Sequence, residues 1–247
     1  MTQSAQPLPV PAHGATGQAR RDEVAAGLAA VRARIAAGCA AAGRDPGEIT
    51  LVVVTKTFPA ADVRILAGLG VRDVGESRDQ EAAAKAAACA DLDLRWHFVG
   101  RLQTNKARSV ARYAHLVHSL DRTDLVTALG RAARAAGREL GCLVQVSLDG
   151  DPARGGVPVP GLPALAAAVA AEEGLDLLGI MAVAPLAADP RAAFSVLPEL
   201  SGRLRREHPE ADMVSAGMSG DLEAALAFGA THLRVGTAVL GRRPPLL

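Results

Sequence analysis

A chain of 247 residues has room for one large α/β core, and its formal net charge of +1 gives no electrostatic case for a nucleic acid or any other polyanion as partner. The hydrophobic share is 49% but the aromatic share only 2%, so the apolar content is Ala, Val and Leu, and base stacking has almost no rings to use. Three widely spaced cysteines, Cys39, Cys89 and Cys142, argue against a disulfide framework or a CxxC zinc site and point to the reducing cytoplasm.

Residues 1–20 mix Pro, Gly, Gln, Ser and Thr without periodicity and lack the apolar centre of a signal peptide. They read as a disordered tail before a single domain over residues 21–247. An Ala-rich helix is expected from Asp22 to Ala42, stopped by Gly43. No uninterrupted apolar stretch is long enough to span a bilayer, so no membrane contact is expected.

From there the chain alternates. Strands are expected at Ile49–Lys56, Asp73–Glu76, Arg95–Val99 and His115–Leu120, with helices at Ala60–Leu69, Arg78–Ala90, Thr104–Tyr113 and Thr123–Ala136. A fifth strand at Cys142–Leu148 runs into a Gly- and Pro-rich loop, Asp149–Pro160, and a helix at Leu162–Glu173. Strands at Leu177–Val183, Met213–Ala216 and His232–Val235 follow, with helices at Arg191–Glu207 and Gly220–Phe228 and a terminal turn at Thr237–Gly241. Eight strands, each but the last followed by a clear helix, give a (β/α)8 barrel with one extra helix in front. No GxGxxG follows a strand, so a dinucleotide-binding sheet lacks its phosphate loop.

Lys56 stands out against this frame. The chain has 24 arginines and three lysines, Lys56, Lys85 and Lys106. Arg stays protonated, whereas Lys can lose its proton and condense with an aldehyde. Lys56 closes the first buried strand, at the barrel end where α/β proteins carry their chemistry. Two segments at the same end read as anion sites. Ser215–Asp221 leads from strand seven into a helix whose first amides lack partners, and Ser219 adds a hydroxyl. Arg234–Thr237 leaves strand eight with a glycine that allows close backbone approach and a hydroxyl beside it. A lysine on strand one facing a phosphate held after strands seven and eight points to pyridoxal phosphate.

The residues also carry a resemblance. Val53-Val54-Thr55-Lys56-Thr57, Gly75-Glu76, the run Trp96–Lys106, Val117–Asp121, Gly179–Met181, Gly217–Asp221 and Gly229–Ala238 occur in order across about residues 22–241. The chain resembles the pyridoxal phosphate homeostasis protein family, single-domain relatives of the alanine racemase N-terminal barrel. The resemblance implies a (β/α)8 TIM barrel of the alanine racemase N-terminal type and an aldimine between pyridoxal 5'-phosphate and Lys56. It places the phosphate on Ser219, Gly236 and Thr237 with the backbone of Met218 close by, and sets Arg234 against the pyridine nitrogen. A fixed cation there disfavours ring protonation and makes the ring a weaker electron sink. Two positions depart from the family pattern. Ser77 stands where Asn is usual after the Gly-Glu pair, and Ser147 and Arg154 stand where the strand-five segment usually has Asn and then Lys.

Other polar residues read as structural. His97, His118 and His232 lie in or beside strands and are expected to be packed histidines with satisfied hydrogen bonds, without metal-ligand spacing. Asp221 reads as a helix cap. Lys106, Arg108 and Arg112 read as a solvated helix face, and Tyr113 as a packing residue.

The resemblance implies a non-catalytic protein of cytoplasmic pyridoxal phosphate homeostasis, which holds the cofactor at Lys56 and buffers it or delivers it to apoenzymes; a monomer is expected. The alternative is an amino-acid racemase of weak activity. Two-base racemisation needs an acid/base group on each face, and the chain ends at Leu247 without the β-rich domain that supplies a tyrosine in alanine racemases. A third reading is a phosphosugar-type barrel enzyme in which Lys56 condenses with its substrate.

Overall fold

The computed structural model describes residues 13–151, 154–186 and 188–241. Its strands are β1 (Thr50–Val54), β2 (Asp73–Glu76), β3 (Arg95–Phe98), β4 (Leu116–Leu120), β5 (Leu140–Ser147), β6 (Val157–Pro158), β7 (Leu175–Met181), β8 (Met213–Ser215) and β9 (His232–Val235). Every pairing is parallel, the order runs β4-β3-β2-β1-β9-β8-β7-β5, and β4 also pairs with β5. That last pairing closes the ring, so the fold is an eight-stranded (β/α)8 barrel. The two-residue β6 pairs with β5 outside the ring, from the loop expected to be irregular.

The helices are α1 (His13–Ala41), α2 (Ala60–Gly68), α3 (Asp79–Ala88), α4 (Ala107–Tyr113), α5 (Thr123–Ala135), α6 (Leu162–Ala171), α7 (Pro190–Phe194), α8 (Leu197–Glu207), α9 (Leu222–Ala227) and α10 (Thr237–Leu240). The expected helix Arg191–Glu207 is two. Pro198, in the first turn of α8, has no N–H to give to the preceding turn, and the helix restarts around it. Asp189 caps α7 by accepting from the Arg191 amide.

Helix α1 begins nine residues earlier than expected, so residues 13–20 of the supposed tail are helical; residues 1–12 lie outside the described residues. By length and composition Gly17–Ala41 could cross a membrane, contrary to the sequence reading. Here it lies along the barrel. Val24, Leu28, Val31, Ile35 and Cys39, three or four residues apart, form its buried stripe. Arg20 pairs with Asp62 (2.7 Å) and Arg34 with Glu223 (2.7 Å), fixing it to α2 and α9.

Strand alternation divides the core in two. Val53, Val74, Trp96, Phe98, Val117, Val214, Leu233 and Val235 belong to the apolar layer between strands and helices. Their alternates point to the barrel axis. On that axis a group of buried polar side chains, Asp73, His97, His118, Ser215, His232 and Arg234, lies beside an apolar cluster of Leu116, Leu143 and Met181. Lys56 continues the inward alternation of Val52 and Val54, and Gly236 that of Arg234.

Candidate functional site

Lys56 lies two residues past the end of β1 rather than in it, exposed, with no partner among the described residues. The turn that carries it is strained. Thr57 has φ +70°, the one positive φ among the described non-glycine residues, and its β-branched side chain disfavours that region. Such strain costs on the order of 1–3 kcal/mol and persists where surroundings enforce it. Here the Thr57 amide donates to Glu81 Oε2 (3.0 Å), the Thr55 amide to Gly75 O (2.9 Å) and the Phe58 amide to Thr55 O (3.1 Å).

Behind this turn is a buried polar cluster. Lys85 Nζ of α3 donates to Glu76 Oε1 (2.7 Å) and to Thr55 O (2.8 Å), and Thr55 Oγ1 donates to the same Glu76 oxygen (2.6 Å). Burial raises the Glu76 carboxyl above its usual range, against the opposing pull of Lys85 and Thr55. Glu76 Oε2 and Ser119 Oγ are buried without a protein partner. The sequence reading missed Lys85; its one signal was that a lysine stands there in an arginine-rich chain.

The two loops expected to cradle an anion meet. The Ala238 amide donates to Ser219 Oγ (3.3 Å), and β1 pairs with β9 so that Val53 is level with Val235, bringing the Lys56 turn beside Gly236–Ala238. The Thr237 hydroxyl has no partner among the described residues. A Cβ on Gly236 would stand 3.0 Å from Val54 O, a tight contact that a side chain there could make only if the strand-end backbone gave way by a few tenths of an ångström. Met218 is exposed, and its amide donates to the Asp221 carboxylate; Asp221 stands at the N-cap position of α9, but its side chain accepts none of the first amides of the helix, so the expected cap is not made.

Arg234 sits beneath these loops. Its Nη1 donates to Ser215 Oγ (2.6 Å) and its Nη2 to Ala182 O (2.9 Å), leaving Nε–H without a protein partner. Burial pushes its pKa down to about 10, still cationic at neutral pH.

The histidines that sequence spacing marks as packing residues are bonded to one another along the axis. His118 Nδ1 meets Ser215 Oγ (2.8 Å), His118 Nε2 meets His97 Nδ1 (2.9 Å), and His97 Nε2 meets Asp73 Oδ1 (2.9 Å). Asp73 Oδ2 accepts from Arg95 Nη2 (2.6 Å). Arg can only donate and a carboxylate only accept. With both imidazoles neutral, one arrangement satisfies every atom: each donor points from Arg234 toward Asp73. Burial first, then the neighbouring His97 and Arg234, holds His118 well below the usual imidazole range. Hydrogen bonds from His97 and Arg95 outweigh burial at Asp73 and hold its carboxyl low.

His232, also on the axis, is pushed down to about 4 by burial and then by His97. The unfolded imidazole takes its proton near pH 6.5. Between about 6.5 and 4 the unfolded state therefore binds more protons, and stability falls as pH falls. The loss from pH 7 to pH 5 is expected to be ~2 kcal/mol larger in the native protein than in His232→Asn. Urea unfolding at the two pH values measures it; equal losses would contradict the assignment.

Tyr113 lies in the helical layer, where its hydroxyl donates to Asp79 Oδ1 (3.4 Å). Ser147 Oγ accepts from the Gly150 amide, and Arg154 donates to Asp149 and to the carbonyls of Val183 and Ala184, so both serve the β5 loop. Among the described residues no three His, Cys, Asp or Glu side chains are grouped to hold a metal.

The model of the alanine racemase N-terminal domain matches residues 27–244. The pyridoxal phosphate homeostasis protein of Mycobacterium tuberculosis is 51% identical over 243 residues, covering 91% of this chain and 94% of its own. The structure of PipY from Synechococcus elongatus with PLP bound superposes with a TM-score of 0.75 at 34% identity, over 88% of this chain and 100% of PipY. Alanine racemase from Streptomyces lavendulae shares the fold at 21% identity, TM-score 0.69, over 89% of this chain and 56% of the racemase.

Proposed function

Because the chain belongs to the pyridoxal phosphate homeostasis protein family, within the alanine racemase N-terminal barrels, we propose that it binds pyridoxal phosphate at the barrel mouth through Lys56. One observation carries the site: an unpartnered lysine on a strained turn stands beside two joined loops bearing Ser219, Gly236 and Thr237, above a buried arginine. Ser219, Thr237 and Gly236 would hold the phosphate, with the Met218 backbone, whose amide is taken by Asp221, close by, and Arg234 would present its free Nε–H to the ring nitrogen. When bound, the cofactor supplies a reactive aldehyde and, if its ring is protonated, an electron sink. Arg234 opposes that protonation.

The family's barrel is shared with enzymes. We read this chain as a holder of pyridoxal phosphate in the cytoplasm, which buffers the aldehyde or passes it to apoenzymes. Its one tyrosine is engaged between α3 and α4, which leaves a racemase without its usual second acid/base group. The three cysteines, free and buried, fit a reducing compartment.

Borohydride reduction after adding pyridoxal phosphate tests this reading. One equivalent of cofactor is expected on the peptide containing Lys56. The chain has only two other lysines, so mapping is unambiguous. Label on Lys85 or Lys106 instead would overturn the site. Rapid exchange of the Cα proton of L-alanine in deuterated water would favour the racemase.

A further inference from the structure

A second cleft opens at the same end of the barrel and is not used by the site above. It lies between the β2–α3 and β3–α4 connections and has a volume of about 600 Å³, within the usual range for small-molecule sites. Arg78, Arg101, Lys106 and Arg122 line it, against one acidic side chain, Asp79. The whole chain is only +1, so this is a local concentration of positive charge. Arg78 and Arg122 have acidic neighbours, Glu81 (3.3 Å) and Asp121 (2.6 Å). Arg101 and Lys106 have none among the described residues. Like charges gathered around a cavity repel one another, and an anion between them removes that cost.

The cleft is also held in shape. A Cβ on Gly100 would fall 2.2 Å from Ser77 O, so the two connections touch backbone to backbone and only glycine fits. Arg122 Nη2 donates to Leu102 O (2.9 Å) and Thr104 Oγ1 (3.3 Å), and the Lys106 amide donates to Gln103 O (2.9 Å). Leu102 and Phe98, both buried, form the floor. The Gly100–Lys106 run, for which the barrel mouth offers no use, builds this wall.

We propose that the cleft is a second anion-binding site for a small phosphate monoester, with Arg101 and Lys106 as the residues that bind its dianion. Arg122 positions the loop that carries them. The backbone that carries Arg101 and Lys106 is fixed in advance, so binding has only their side chains to order.

The experiment begins with protein reduced on Lys56, so that the mouth is filled covalently. Equilibrium dialysis at low ionic strength then follows two probes: inorganic phosphate and pyridoxine 5'-phosphate, which has no aldehyde. One further equivalent of probe is expected, weakened by added salt. Tighter binding of pyridoxine 5'-phosphate identifies an organic monoester as the ligand; equal or tighter binding of inorganic phosphate would overturn the monoester. The double substitution Arg101→Ala/Lys106→Ala should weaken binding at least about tenfold, or about 1.4 kcal/mol. Arg101→Glu should do so alone, and both variants should keep full labelling of Lys56. No further equivalent of either probe, or unchanged affinity in both variants, would overturn the proposal. Failure to label Lys56 would count against the mouth site only, and the cleft can then be titrated on unreduced protein.

Discussion

Exchanging Lys56 for arginine is expected to abolish covalent capture of pyridoxal phosphate, leaving no near-visible absorbance after gel filtration and no label after borohydride. The charge is retained, so the result isolates the chemistry. A guanidinium stays protonated and does not condense with an aldehyde under these conditions, whereas an amine does. The fold should not notice. Lys56 is exposed and unpartnered, and surface substitutions of that kind usually change stability by less than about 0.5 kcal/mol. Absorbance spectra and urea midpoints of the two proteins give both readings. A band that survives in Lys56→Arg would move the attachment to another amine.

Lys85→Met is expected to act in the opposite way, on the fold first. Glu76 is 1% exposed, and Lys85 is its cationic partner at 2.7 Å. Removing one partner of a buried pair strands the other, at a cost of about 3–5 kcal/mol. For a domain of this size that is a fall in melting temperature of about 10 °C. Replacing both, as Lys85→Met/Glu76→Gln, should recover most of the loss, because no charge is then left buried. A loss under 1 kcal/mol in the single variant, or no recovery in the double, would show that the pair is not what holds this corner. Lys85 also holds Thr55 O, one residue before Lys56. Slower capture of pyridoxal phosphate by folded Lys85→Met is therefore expected, though Lys56 is intact.

The barrel was legible because parallel strands covered on both sides read as apolar runs, and glycines mark where helices end. Lys56 as a candidate came from composition, and the two loops proposed to hold an anion from a serine, a threonine and glycines placed before short helices. The polar axis was not. His97 and His118 are 21 residues apart, and His118 and Ser215 are 97 apart. No local pattern records that strand closure sets them in line, and each looks like an ordinary packed histidine. The same holds for Lys85, whose partners lie on β2 and just past the end of β1. Helix ends were displaced where tertiary contacts decide them: α1 extends back toward the residues that meet α2, and α8 restarts at a proline the periodicity ignores.

The line of hydrogen bonds from Arg234 to Asp73 has a bookkeeping of its own. Its ends fix its direction, so in the neutral form it is a one-way queue of four bonds, met at Asp73 by a fifth from Arg95. Either imidazole in its other tautomer would set donor against donor or acceptor against acceptor somewhere along the line. The orientation of every hydrogen in between is therefore settled by groups at opposite ends of the barrel: a carboxylate held by a mostly exposed arginine at the floor, and the arginine beneath the mouth.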